Sequence, residues 1–219
     1  MPTPIQNLTD RTKMNVYFMR HGETDWNTIK RLQGTTDIPL NKNGEELAKV
    51  TAANMKKDGI KFDVIYSSPL VRALKTAEYM NEYSKAPVIV DKRIREYCFG
   101  QAEGVTFDEL KVNPKFVNLR NWFLDPENFV AELGAESYDE FFGRLSSFLN
   151  EVLIPLEKEN SNQNVLIVCH GGVVRGLLKV MLDWDISRFA ETKIPNCGIN
   201  LCTLHDGKFE LEFTAKKYY

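Results

Sequence analysis

The sequence predicts an α/β fold: a three-layer sandwich with a mainly parallel sheet, an antiparallel edge strand and helices on both faces. Three observations carry this. Short apolar runs alternate with segments of helical period, as strands joined by crossover helices do. Two strand-like runs, Asn196 to Leu204 and Lys208 to Thr214, flank Asp206-Gly207, a hairpin signal that requires at least one antiparallel pairing. Two apolar runs also end on His-Gly, at His21-Gly22 and His170-Gly171. Open α/β sheets hold their ligands beyond the carboxyl ends of their strands, so both histidines arrive where such folds do chemistry.

Taken in order, residues 1–13 are polar and form an N-terminal tail, and residues 14–219 form a single domain. Met14 to Met19 is the first strand. Asn41 caps a helix that carries Leu47, Ala48, Val50 and Met55 and ends near Gly59. Phe62 to Tyr66 is the second strand. Pro69 suits the first turn of the next helix, which runs through Leu70, Ala73, Leu74, Ala77 and Met80. Val88-Ile89-Val90 and Asn164 to Cys169 are the third and fourth strands. Phe141, Leu145, Phe148, Leu149 and Val152 recur at helical spacing between Ser137 and Glu159, and Val173, Val174, Leu177, Leu178 and Met181 do so after His170. Residues 97–135 stand apart. They are rich in aromatics (Tyr97, Phe99, Phe107, Phe116, Trp122, Phe123, Phe129) and broken by Pro and Gly. An insertion of that length is either a lid over a site or a small subdomain whose aromatics pack on one another.

Composition narrows the function. With 28 basic against 30 acidic residues the net charge is −2, which gives no general attraction to nucleic acid or an anionic membrane. Any positive potential is local, and Arg20 with Arg72 can make it. No apolar stretch is long enough to span a bilayer. The four cysteines, Cys98, Cys169, Cys197 and Cys202, are scattered without a CxxC pair, which favours a reducing, cytoplasmic setting. Three histidines without His-x-x-x-His spacing do not indicate zinc, and no Asp/Glu cluster indicates magnesium. Neither metal nor cofactor is expected.

Met19-Arg20-His21-Gly22-Glu23-Thr24, Trp26-Asn27, Ser67-Ser68-Pro69-Leu70-Val71-Arg72-Ala73, Glu96 with Phe99-Gly100 and Glu103-Gly104, and Cys169-His170-Gly171-Gly172 follow one another in the chain. In order and spacing they resemble the histidine phosphatase superfamily, the phosphoglycerate mutase-like proteins, over roughly residues 14 to 205. The resemblance implies that fold and assigns roles. His21 attacks phosphorus and becomes a phosphohistidine, splitting one displacement into two. Arg20, Arg72 and, when protonated, His170 meet the phosphoryl charge. Asn27 and Thr24 add neutral hydrogen bonds, Glu96 exchanges the proton with the leaving group and then with water, and Gln33, Gly34 and Gly171 contact substrate.

Three activities fit that pattern. A phosphomonoesterase acting on a small phosphorylated metabolite comes first. A 2,3-bisphosphoglycerate-dependent phosphoglycerate mutase comes second, because mutases resembling this chain carry a basic run after the glutamate and a tandem arginine pair in the lid. Here Glu96 is followed by Tyr97-Cys98-Phe99, and Lys111, Lys115 and Arg120 are dispersed. A non-catalytic phosphate-binding regulator comes last, since every matched catalytic position is filled. The relatives occur as monomers and homodimers, and both states are open to this chain.

Overall fold

The computed structural model describes residues 13–189 and 192–219. All of the expected N-terminal tail except Lys13 lies outside the described residues. Six strands make one sheet: β1 (Met14–Arg20), β2 (Val64–Ser67), β3 (Val88–Val90), β4 (Asn164–Cys169), β5 (Ile199–His205) and β6 (Lys208–Lys216), in the order β3-β2-β4-β1-β5-β6. The first four pair in parallel, and β5 pairs antiparallel with both β1 and β6. The strand that runs against the rest is therefore β5, one place in from the edge. The hairpin between β5 and β6 turns on Asp206 and Gly207, both at positive φ (49° and 73°), the backbone that matches strand twist in a two-residue turn.

The middles of β1 and β4 are apolar runs because both faces of the sheet are covered. Val16 and Phe18 of β1 face one cluster; Tyr17 and Met19 face the other. Helices α2 (Lys42–Lys57) and α3 (Val71–Met80) cover the second face, whereas α6 (Tyr138–Phe148) and α8 (Gly171–Leu182) cover the first. A four-residue turn of helix, α1 (Asp25–Thr28), follows β1. Asn41 caps α2 through a bond from the Gly44 N–H to its Oδ1 (2.8 Å). Pro69 falls just before α3, not inside its first turn. Leu70 occupies the cap and offers no side-chain acceptor, and Asp37 supplies one from a distant loop, accepting from the Val71 N–H at 2.8 Å. The Ser137–Glu159 stretch is helical but not uniform: α6 widens into a π-helical turn at Leu149–Leu153 and continues as α7 (Ile154–Glu159). Pro155 cannot donate to the carbonyl of Glu151 and its ring crowds it, so the wider turn falls where a regular one does not fit.

The 97–135 insertion contains α4 (Phe107–Val112), α5 (Asn121–Leu124) and several single turns. Its aromatics join the main core. Tyr97 and Trp122 are buried with ring centroids 5.1 Å apart, Phe99 stacks on Phe123 at 5.3 Å, and Trp122 meets Phe189 at 5.4 Å. Among the described residues no helix is long and apolar enough to cross a membrane.

Candidate active site

Parallel pairing of β1 with β4 sets Arg20 opposite Cys169 and so brings His21 and His170 together, ring centroids 5.2 Å apart. Gly22 lets the loop after β1 lie against the start of α2: a Cβ there would sit 2.4 Å from the Gly44 carbonyl oxygen, and one on Gly44 would sit 2.0 Å from that of Glu23. His21 is buried, with Nδ1 at 2.6 Å from the Gly22 carbonyl oxygen. That oxygen only accepts, so Nδ1 carries the proton and Nε2 keeps its lone pair. The Nε of Arg72 donates to Nε2 at 3.2 Å. Burial foremost, then Arg72 and Arg20, holds His21 well below the usual imidazole range. It is neutral at pH 7, the form a nucleophile requires.

His21, Arg20, Arg72, Glu96, Asn27, Gln33, Gly34 and Gly171 all line one pocket of about 220 Å³. The guanidinium of Arg72 is fixed from both sides by the carbonyls of Thr36 (2.9 Å) and Gly34 (2.8 Å). Burial lowers it to about 10, still cationic at neutral pH. Arg20 donates to the Ile194 carbonyl at 3.0 Å, and its buried Nε has no partner among the described residues. Asn27 accepts through Oδ1 from the Thr24 N–H and from Asn196 Nδ2, so its own amide N–H groups remain to donate. Gln33 Oε1 is buried without a partner among the described residues.

Two expected residues sit differently. Thr24 does not line the pocket. It holds the N-cap of α1, where its hydroxyl bonds Asn27 on both the backbone N–H (3.2 Å) and Oδ1 (3.1 Å), so it orients Asn27 instead of meeting phosphate. His170 is fully buried behind the pocket, its Nε2 at 2.7 Å from Ser68 Oγ. Burial first, then Arg72, His21 and Arg20, hold it well below the imidazole range, so at pH 7 it is neutral rather than an imidazolium donor.

Glu96 accepts from the Gly172 N–H in the first turn of α8 (3.2 Å) and from the Tyr97 N–H (2.9 Å). Its backbone is clamped from behind. Arg144 of α6 donates to the carbonyls of Arg93, Arg95 (2.7 Å) and Glu96 (3.2 Å). Buried Glu136 accepts from Arg144 Nε at 2.6 Å and from Arg95 at 3.2 Å, and its own carbonyl accepts the Tyr97 hydroxyl. Glu103 ties the insertion to the loop below, accepting from the N–H groups of Thr35 (2.9 Å) and Thr36 (3.0 Å). Phe99, Trp122 and Phe123 reach the pocket wall from the same packed cluster, so the insertion's aromatics are core and pocket wall together.

Sequence reading missed Arg31 and Arg175, which also line the pocket, and Ser68, Asn196, Glu136 and Arg144, which hold its walls. For Arg175 a signal existed: four residues beyond Gly171 on one helix shares its face. For Glu136 and Arg144 there was none, because Arg144 reaches backbone carbonyls and Glu136 acts by accepting from Arg144 and Arg95. The three acidic or imidazole groups that converge among the described residues, Glu157, His205 and Asp206, lie at the opposite end of the sheet.

A family model described as the histidine phosphatase superfamily, branch 1, matches residues 16–216. The chain belongs to the histidine phosphatase superfamily. It is 36% identical over 197 residues to the uncharacterized phosphatase PhoE of Bacillus subtilis (strain 168), covering 90% of this chain and 92% of that one. It is 33% identical over 177 residues, 80% of each chain, to phosphoserine phosphatase 1 of Hydrogenobacter thermophilus. Among solved structures, phosphoserine phosphatase of Entamoeba histolytica in complex with 3-phosphoglyceric acid aligns with a TM-score of 0.75 at 28% identity, over 93% of this chain and 97% of that one. This histidine phosphatase is an enzyme of the phosphatase branch, on a phosphoglycerate mutase-like fold.

Proposed function

We propose that this histidine phosphatase hydrolyses a small phosphorylated metabolite through a phosphohistidine on His21, without a metal. The observation that carries the reading is the His21 ring, with Nδ1–H pinned to the Gly22 carbonyl and Nε2 open to a pocket lined by guanidiniums. The Nε2 lone pair forms the bond to phosphorus as the ester P–O bond breaks, and the departing oxygen takes a proton from Glu96. Arriving phosphate draws Arg72 off Nε2 and onto the phosphoryl oxygens, where Arg20 Nε and the Asn27 amide also donate. Water then attacks phosphorus and gives a proton to Glu96, and the P–N bond returns its electron pair to Nε2. The guanidiniums supply the charge stabilisation that phosphoryl transfer needs. Residues 14–219 are read as one domain whose 97–135 insertion roofs this pocket. Free thiols at Cys98, Cys169, Cys197 and Cys202 suit a reducing, cytoplasmic setting. Monomer and homodimer are both compatible with this chemistry.

The test is phosphate release from an unselective aryl phosphate with chelator present. Wild type is expected to turn over, His21→Ala to lose at least about a thousandfold, and a denaturing alkaline quench of a labelled ester to trap an acid-labile, base-stable adduct on His21. Turnover with no such adduct ends the covalent mechanism. No release, with interconversion of phosphoglycerates instead, makes the protein a mutase.

A further inference from the structure

Parallel pairing of β2 with β4 sets Ser67 beside Val168, and the next N–H, that of Ser68, donates to the Val168 carbonyl at 3.0 Å. This register brings the Ser68 hydroxyl, on the segment that leads into α3 and Arg72, against the ring of His170. Its Oγ lies 2.7 Å from Nε2, and both residues are fully buried.

A hydroxyl has one proton to give and two lone pairs to offer. The Leu70 N–H donates to Oγ at 3.3 Å and takes up one lone pair. Two arrangements remain for the bond to His170. If Nε2–H donates to Oγ, the hydroxyl proton and the Nδ1 lone pair are both left without partners among the described residues. If Oγ–H donates to Nε2, one group is left over, an N–H at Nδ1, which is buried and has no partner among the described residues. Each unpaired buried polar group is costly, so the second arrangement is favoured. His170 then carries its single proton on Nδ1. Its ring lies edge-on to His21, centroids 5.2 Å apart at 61°, and the next residue, Gly171, lines the pocket beside Arg20. A phosphoryl group on His21 brings oxygens that only accept. A preorganised N–H serves such an oxyanion without the ring becoming charged, and burial foremost, then Arg72, opposes that charging.

We propose that Ser68 is a positioning residue: its hydroxyl fixes the His170 ring and holds the ring proton on Nδ1, so that His170 meets the phosphoryl oxygens as an uncharged N–H donor. This rests on the phosphohistidine reading above in placing the phosphoryl group on His21. The test is ring NMR of protein labelled with ¹⁵N-histidine at pH 7, free and with saturating inorganic phosphate. In wild type, His170 is expected to carry its proton on Nδ1 with Nε2 bare. Phosphate should move the Nδ1–H proton downfield without adding a second proton. Ser68→Ala should spread the proton over both nitrogens. It should also lower kcat on an aryl phosphate about tenfold to a hundredfold with KM within a few-fold, since the donor is displaced rather than removed, and Ser68→Thr should restore both. Three wild-type results overturn the assignment, and none needs a variant to fold: a proton on Nε2, a second proton gained when phosphate binds, or an Nδ1–H unmoved while the His21 signals shift. A folded Ser68→Ala that keeps the tautomer and the full kcat overturns it too. The expected His170 shifts with no release from the aryl ester remove the phosphatase and leave this role of Ser68 standing.

Discussion

His21 and His170 are two buried imidazoles kept neutral mainly by burial and by the arginines around them. The sign of the consequence follows from proton binding. The unfolded chain takes up protons near pH 6.5 and the folded chain does so only well below that, so the unfolded state binds more protons in between and stability falls as pH drops. Titration of ¹⁵N-labelled protein is expected to show both rings still neutral at pH 6, and His170→Asn should reduce the loss of melting temperature between pH 7 and pH 5. A ring charging near pH 6.5 contradicts this. The site was legible at this scale where a histidine stood beside a glycine at a strand end, as His21 and His170 do, with Arg20 one place before His21. Thr24 lies outside the pocket lining, its hydroxyl taken up by capping. Arg31 was overlooked because an arginine in a loop looks the same in sequence whether it faces water or a cavity, whereas Arg175 was legible only through the helical face it shares with Gly171.

Glu96 sits on a segment with almost no regular structure, between single turns at Lys92–Ile94 and Gly100–Ala102. What fixes it is α6, whose first turn is preceded by Glu136 and whose second carries Arg144. We expect Arg144→Met to slow hydrolysis of alkyl phosphates, which need the leaving group protonated, on the order of tenfold to a hundredfold, and to leave p-nitrophenyl phosphate within a few-fold of wild type. Equal losses on both esters would show general damage to the fold. Trp122, buried among Tyr97, Phe99, Phe123 and Phe189, is a different case. Trp122→Ala should cost about 3–5 kcal/mol in urea unfolding as well as altering substrate preference, since the ring is both core and pocket wall. The sequence marked the insertion by its aromatics, yet could not separate these roles, because an aromatic run looks identical in either. Strand positions were readable from apolar runs to within a few residues. The π-turn was not, because Pro155 can be met by a kink or a break as readily as by a wider turn.

At the scale of the molecule, alternating apolar runs made the parallel sheet legible, and the Asp206-Gly207 turn made the hairpin legible. Strand order was not, since β4 enters between β1 and β2 from nearly a hundred residues away. Docking of α2 against the loop that carries His21 rests on Gly22 and Gly44 meeting backbone to backbone. Gly44→Ala forces that contact apart, and a loss of about 1–3 kcal/mol in thermal unfolding is expected together with reduced turnover; an unshifted midpoint would mean that α2 moves freely. The adjacency of β1 and β4 has a further consequence, in time. Arg20 and His21 leave the ribosome early, and Cys169-His170, the segment they pair beside, follows about 150 residues later. At about 5–20 residues per second the emerging chain exposes an unpaired β1 edge for on the order of ten seconds to half a minute. During that interval the edge is open to non-native pairing, and the two histidines meet only when synthesis is nearly complete.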